Sequence, residues 1–82
     1  MFMKKIDLFQ TTDFSLISFL TAAGFPIEKT EKDSSSRRVL FFFKQTAELD
    51  DLVQAFWRRE TTVEPQAYFQ ATRLIKSRIY GG

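Results

Sequence analysis

Acidic side chains are the first candidates for chemistry, because paired carboxylates can act as a general acid and base or hold a hard metal ion. The sequence offers the adjacent Asp50 and Asp51, and Asp13 with Glu28. Neighbouring residues on one helix point about 100° apart, so Asp50 and Asp51 share a proton only with help from the fold. Acids near a helix N-terminus also have a purely structural role. Without an activated nucleophile or an oxyanion-stabilising device beside them, we expect no enzyme activity.

Two residue types with catalytic uses are missing, since the 82 residues include no Cys and no His. Thiol chemistry, imidazole base catalysis and the usual transition-metal sites are therefore excluded. A chain without Cys forms no disulfides and fits a reducing compartment. The start of the chain lacks an apolar signal core, and its longest apolar stretch, residues 14–25, is too short to span a bilayer. We expect a single cytoplasmic domain, residues 1–82, with no metal, cofactor or membrane partner.

Aromatic residues are abundant, with ten Phe, three of them consecutive at Phe41, Phe42 and Phe43. Alternation along a strand sends Phe41 and Phe43 to one face of the sheet and Phe42 to the other. If all helices cover the first face, Phe42 is exposed beside Arg38 and Lys44. An exposed aromatic flanked by basic residues is one way in which proteins stack single-stranded bases. The alternative is that the second face is also covered, by a helix or by another copy of the chain.

A basic edge is predicted on the last helical segment. At about 100° per residue, Phe69, Arg73 and Lys76 fall on one side, away from the apolar face. This side is either a patch that contacts phosphates or bases, or an ordinary solvated helix side with one surface aromatic. Arg58 and Arg59 extend such a patch or simply complement the dipole at the end of the preceding helix.

Trp57 and the terminal Gly81-Gly82 are the remaining candidates. We interpret Trp57 as a lid over the core, with an interface anchor as the alternative. Ubiquitin-like proteins and small sulfur carriers end in Gly-Gly, but there a strand leads into the tail. Residues 65–79 instead have helical periodicity, which favours glycines that merely end a helix. Residues 34–82 carry eight basic and five acidic side chains, an excess that permits an anionic partner.

Six elements must position these residues. Period-two alternation predicts strands, and apolar spacings of three and four predict helices. Thr11-Thr12-Asp13 and Thr46 provide N-caps, and Gly24 followed by Pro26 ends the first helix. The segments are strands at about 5–10, 27–31 and 37–44, and helices at about 13–23, 46–59 and 65–79, with a loop at 33–36. The fold class is α+β, in the order β-α-β-β-α-α, with helices on one face of a small three-stranded antiparallel sheet.

Periodicity also predicts which residues are buried and which strand lies at an edge. The strand at 27–31 is charged and therefore suits an edge, in a hairpin with the apolar strand at 37–44. The helices present apolar stripes toward the sheet. Those stripes consist of Leu49, Leu52, Val53, Phe56 and Trp57 in the second helix, and of Ala67, Tyr68, Ala71, Leu74, Ile75 and Ile79 in the third.

A resemblance to a family rests on motifs spread along the chain. They are Thr11-Thr12-Asp13, Arg37-Arg38-Val39 with its Phe run, Leu52-Val53 with Phe56-Trp57, Val63-Glu64-Pro65 and Ser77-Arg78-Ile79-Tyr80. In this order they resemble a family of small, uncharacterised bacterial and phage-type proteins carried as a domain of unknown function. The resemblance covers about residues 9–80. It implies a stand-alone domain and brings no activity, ligand or catalytic residue.

Two functions remain open. The first is a non-enzymatic module that self-associates or binds a protein through the sheet or the Trp57 side, since ten Phe are hard to hide in so small a chain. The second is an accessory protein that binds single-stranded nucleic acid. Its contacts would be Phe42, Phe69, Arg38, Arg73 and Lys76. Phosphate binding weakens steeply with salt and an apolar interface does not, so salt dependence separates the two.

Overall fold

The structure, a computed structural model, describes residues 7–33 and 38–81. Its elements are β1 (Leu8–Thr11), α1 (Phe14–Ala22), β2 (Ile27–Lys32), β3 (Val39–Lys44), α2 (Ala47–Trp57) and α3 (Pro65–Tyr80). The predicted α+β class and the order β-α-β-β-α-α are confirmed. Residues 5–6 of the first predicted strand, residue 37 of the third and residues 34–36 of the predicted loop lie outside the described residues.

The sheet places its most apolar strand in the middle. Its order is β1-β3-β2, and both pairings are antiparallel. A strand paired on both sides and covered on its faces favours a continuous apolar sequence, as in β3. The charged β2 forms the predicted edge and hairpin, with an irregularity between Ile27 and Lys29. On the other side, β1 pairs from Leu8 with Lys44 to Thr11 with Phe41, and so ends one residue later than predicted.

Local hydrogen bonds fix both ends of α1. The N–H of Leu16 donates to Asp13 Oδ1 at 2.9 Å, and the N–H of Asp13 donates to Thr11 Oγ1 at 3.1 Å. At the other end, Gly24 has a φ of 99°, which a residue with a side chain rarely adopts. The N–H of Gly24 donates to the carbonyl of Thr21, and that of the next residue to the carbonyl of Leu20, in a Schellman motif. The predicted start and stop are both confirmed.

The other two helices are capped in the same manner. The N–H of Leu49 donates to Thr46 Oγ1 at 3.1 Å, and the N–H groups of Gln66 and Ala67 donate to the carboxylate of Glu64. Pro65 takes the first position of α3, where its missing N–H costs nothing. Because α3 continues to Tyr80, no strand leads into the terminal glycines. The tail arrangement of ubiquitin-like carriers is therefore absent from this end of the described chain.

The core lies on one face of the sheet, and all three helices contribute to it. Phe41 and Phe43 are fully buried. They belong to a cluster with Leu16, Ile17, Phe19, Leu20, Leu49, Val53 and Ile75. Burying a Phe completely stabilises a fold by roughly 1.5–3 kcal/mol, so this pair anchors the helices to the sheet. One member of the predicted buried stripe of α3, Leu74, is instead 46% exposed.

Candidate interaction surfaces

Trp57 is the last residue of α2, and 57% of it is exposed. Its ring meets Phe56 edge-on, with the centroids 5.1 Å apart and the planes at 78°. Phe56 in turn contacts the core residue Phe19, with a centroid distance of 5.3 Å. The prediction that Trp57 closes the core is wrong, because the preceding residue takes the inner position and neighbours on a helix diverge by about 100°. Trp57 is thus an exposed aromatic supported from behind.

A hollow of about 490 Å³ opens beside this ring. We call its lining the Trp57 surface; it consists of Asp13, Ser15, Phe56, Trp57, Arg59 and Thr61. Arg59 has a φ of 60°, in the left-handed region. Its N–H donates to the carbonyl of Phe56, and the N–H of Glu60 donates to that of Ala55, so a second Schellman motif ends α2. A left-handed residue with a side chain costs about 1–2 kcal/mol, and here it carries a guanidinium.

Opposite charges line this hollow without pairing to each other. Asp13 uses Oδ1 to accept the N–H of Leu16, and among the described residues no ion pair joins it to Arg59. The neighbouring Arg58 is engaged, since its Nε lies 2.7 Å from Glu60 Oε1. Within the described part of the chain, the guanidinium of Arg59 has neither a hydrogen bond nor an ion pair. The Trp57 surface therefore offers one negative group, one positive group and an aromatic ring in the same lining.

The outer side of α3 carries a second exposed surface, which we call the α3 stripe: Phe69, Arg73, Lys76 and Tyr80. Spacings of four, three and four residues place all four on one side of the helix. Phe69 is 61% exposed and Tyr80 83%. The structure thus brings the three predicted residues together, and it adds Tyr80, which continues the same spacing. The predicted helix ended one residue too early to include it.

Arg38 lies at a different place from Phe42. It is exposed and lines a hollow of about 420 Å³ with residues of α1 and α3, including Phe14 and Ile79. An adjacent hollow of about 340 Å³ is lined by Thr30, Lys32, Val39 and Arg78. The start of β3 therefore collects basic side chains from β2, from the residue just before β3 and from α3. Sequence reasoning did not predict this because these residues are far apart along the chain.

Phe42 is only 7% exposed, so the prediction that it forms an open aromatic platform is wrong. This burial fits the alternative that the second face is also covered, and part of the cover comes from a neighbouring strand. The neighbours of Phe42 across the strands are Gln10 and Lys29, and Lys29 Nζ lies 4.7 Å from the ring centroid. Long polar side chains on the edge strands therefore shield this ring on the face opposite the core.

One member of each acidic pair has a structural role. Asp13 caps α1, and Asp50 Oδ1 accepts a hydrogen bond from Gln45 Nε2 at 3.0 Å. Across residues 7–33 and 38–81, no three Asp or Glu side chains form a group able to hold a metal ion. In the same residues, no helix combines the length and the apolar character that crossing a membrane requires.

Comparison with known proteins adds a family. Residues 6–81 match the family model of DUF5659, a domain of unknown function. The chain belongs to this family. The DUF5659 match includes all six elements and every motif on which the resemblance rested, so that resemblance to an uncharacterised family is confirmed. Searches of the curated proteins and of the solved structures found no match.

Proposed function

We propose that this chain is a non-enzymatic protein-interaction module of the cytoplasm that binds its partner through the Trp57 surface. The observation that carries the proposal is a Trp57 ring more than half exposed, yet held in place through Phe56 and Phe19. Tryptophan is strongly enriched among the residues that dominate binding energy at interfaces. Aromatic side chains accompanied by polar and charged ones, here Asp13 and Arg59, are the composition typical of an interface.

The energetics favour an anchor role for this residue. A tryptophan buries on the order of 150–250 Å², and more than half of Trp57 is still in contact with water. Removing that remainder from water contributes about 2–3 kcal/mol before the costs of association. A ring already fixed by its neighbours loses little conformational freedom on binding, so most of this gain is retained.

Site-specific crosslinking tests the proposal directly. A photoreactive p-benzoylphenylalanine is introduced in place of Trp57, and in a second variant in place of Asp51, an exposed residue of the same helix. After irradiation in the cells from which the protein comes, we expect a protein adduct at position 57 and none at position 51. Equal crosslinking at both positions, or none at position 57, would refute the proposal.

The α3 stripe supports a second candidate function, binding of single-stranded nucleic acid. Phe69 and Tyr80 offer exposed rings on which bases stack, and Arg73 and Lys76 lie between them to neutralise phosphates. Phe42, which the sequence-based prediction included, has no part in this nucleic-acid-binding surface, because its ring is covered. Arg38 lies at the basic end of the sheet, where it can contact a more distant part of the same nucleic-acid strand.

Anisotropy of labelled mixed-sequence single-stranded DNA and RNA, measured at low and at physiological salt, tests this candidate. The double variant Arg73→Ala/Lys76→Ala should weaken binding and reduce the slope of log K against log salt by about 1.4, since each phosphate contact contributes about 0.7. Phe69→Ala/Tyr80→Ala should weaken binding with little change in slope. Trp57→Ala is the matched control and should bind normally. An absence of binding at low salt, or binding unaffected by the α3 variants, would eliminate this candidate.

A further inference from the structure

We propose that the partner of the Trp57 surface is a second copy of this chain, related by a two-fold axis. This inference rests on the proposed function. A two-fold interface brings the same patch of both copies together, so each contact occurs twice with the roles exchanged. Such a patch must be complementary to itself. The Trp57 surface meets this condition because it carries one acid, Asp13, and one base, Arg59, with the aromatic ring in the same lining.

The charges supply the first argument. Asp13 and Arg59 line one hollow, and among the described residues they do not pair with each other. Across a two-fold axis, Arg59 of one copy faces Asp13 of the other, and the reverse, so both charges are compensated at once. Asp13 commits Oδ1 to the cap of α1, which leaves its second carboxylate oxygen to receive the guanidinium.

The backbone at Arg59 supplies the second argument. Its φ of 60° is a conformation that glycine adopts at no cost, and the equivalent position after α1 is in fact Gly24. A strained non-glycine residue points to a role for its side chain. The adjacent Arg58 is already paired with Glu60, so Arg59 is the basic group that this surface has available.

Shape supplies the third argument. The hollow of about 490 Å³ falls within the roughly 300–1,000 Å³ typical of ligand pockets, which is room for an indole ring. In a two-fold arrangement, Trp57 of each copy enters the hollow of the other and packs beside Phe56. The surface has no net charge of its own, which suits an identical partner better than the polyanion favoured by the α3 stripe.

Sedimentation equilibrium over a wide concentration series, with Trp57 emission and acrylamide quenching recorded alongside, tests the inference. We expect a dimer whose formation shifts Trp57 emission to the blue and lowers quenching. Trp57→Ala should raise the dissociation constant by about tenfold or more, which corresponds to 1.4 kcal/mol. Arg59→Asp should do the same, because it sets a new carboxylate against Asp13 of the second copy. Arg73→Asp makes the same charge change on the α3 stripe and should leave the dimer intact.

A mixing experiment makes the test specific for the reciprocal contact. Arg59→Asp and Asp13→Lys should each prevent dimerisation, whereas a mixture of the two should form a heterodimer in which every pair is again opposite in charge. Asp13→Lys removes a helix cap, so circular dichroism must show it folded; if it is not, the comparison of Arg59→Asp with Arg73→Asp decides.

The outcomes separate this inference from the function on which it rests. A chain that stays monomeric while position 57 crosslinks to another protein overturns the second copy and keeps the interaction module. A monomer with no crosslink at position 57 overturns both. A dimer that survives both Trp57→Ala and Arg59→Asp, or one that Arg73→Asp weakens equally, places the interface elsewhere and overturns the inference.

Discussion

The ammonium nitrogen of Lys29 lies 4.7 Å from the centroid of the Phe42 ring, on the sheet face opposite the core. This contact contributes to the cover of a ring that lies in the central strand and is only 7% exposed. The apolar stem of a lysine covers the ring while its charge stays in water. Phe42 therefore offers no open ring for stacking, and among the described residues the exposed large aromatics, Trp57, Phe69 and Tyr80, lie on α2 and α3.

We expect Lys29→Ala to lower the free energy of unfolding by about 0.5–1 kcal/mol, because it removes the cation–π contact and uncovers the Phe42 ring. Urea denaturation measures the change. Lys32→Ala on the same edge strand is the matched control and should change stability by less.

The ion pair between Lys29 and Glu31, 3.1 Å apart and exposed, needs its own control. Glu31→Gln removes the pair and leaves the ring covered, so we expect almost no loss. If Glu31→Gln costs as much as Lys29→Ala, the ion pair and not the ring contact is responsible.

Two consecutive phenylalanines should respond very differently to truncation. Phe43 is fully buried between the sheet and the helices, so Phe43→Ala should cost about 3–5 kcal/mol and come close to unfolding so small a domain. Phe42 is covered by flexible side chains that can close the space, so Phe42→Ala should cost clearly less. Denaturant midpoints of the two variants give the comparison. A loss for Phe42→Ala as large as that for Phe43→Ala would show that the face opposite the core is rigidly packed.

Local signals in the sequence were sufficient for most of the fold. Asp13 and Thr46 cap their helices through N–H groups three residues away, and Gly24 ends α1 through its own φ. Such features depend on a few adjacent residues, so they can be predicted without knowing the tertiary structure. The apolar sequence of β3 likewise indicated the strand that lies at the centre of the sheet.

Periodicity predicted three of the four residues of the α3 stripe, but the Trp57 surface could not be predicted in the same way. Periodicity gives the direction of a side chain but not how far a neighbouring element extends over it. For this reason the exposure of Trp57 and Leu74 was not predicted, although both lie on predicted apolar stripes. Trp57 lies at a helix end, and Leu74 lies beside a hollow between α1 and α3. The left-handed backbone of Arg59 had no signal either, because no glycine marks the end of α2.

Removing a buried hydroxyl in α1 should stabilise the fold, whereas the Lys29 and Phe43 variants should destabilise it. Ser18 is fully buried, and its Oγ has no hydrogen-bond partner among the described residues. Removing an unsatisfied buried polar group while changing little volume should stabilise the fold, so Ser18→Ala should raise the free energy of unfolding by about 1 kcal/mol beyond the gain in helix propensity. Ser15 is exposed on the same helix, so Ser15→Ala measures the gain that comes from helix propensity alone. A loss of stability in Ser18→Ala relative to Ser15→Ala would mean that the hydroxyl is bonded in solution.

Arg59→Gly should have opposite effects on the stability of the monomer and on its dimerisation. Glycine relieves a left-handed strain of about 1–2 kcal/mol but adds about 0.4–1 kcal/mol of freedom to the unfolded chain, so we expect a net gain in stability of about 0.5–1 kcal/mol. Gly24→Ala is the reciprocal control: an added Cβ would meet no atom within 4 Å, so its expected loss of about 1 kcal/mol comes from the backbone alone. Thermal and urea unfolding of the isolated monomers at low concentration measure both. If Arg59→Gly is more stable as a monomer yet dimerises more weakly, the arginine is retained for its contact with the second copy. If it loses stability instead, the guanidinium supports the fold of its own chain and the strain argument fails.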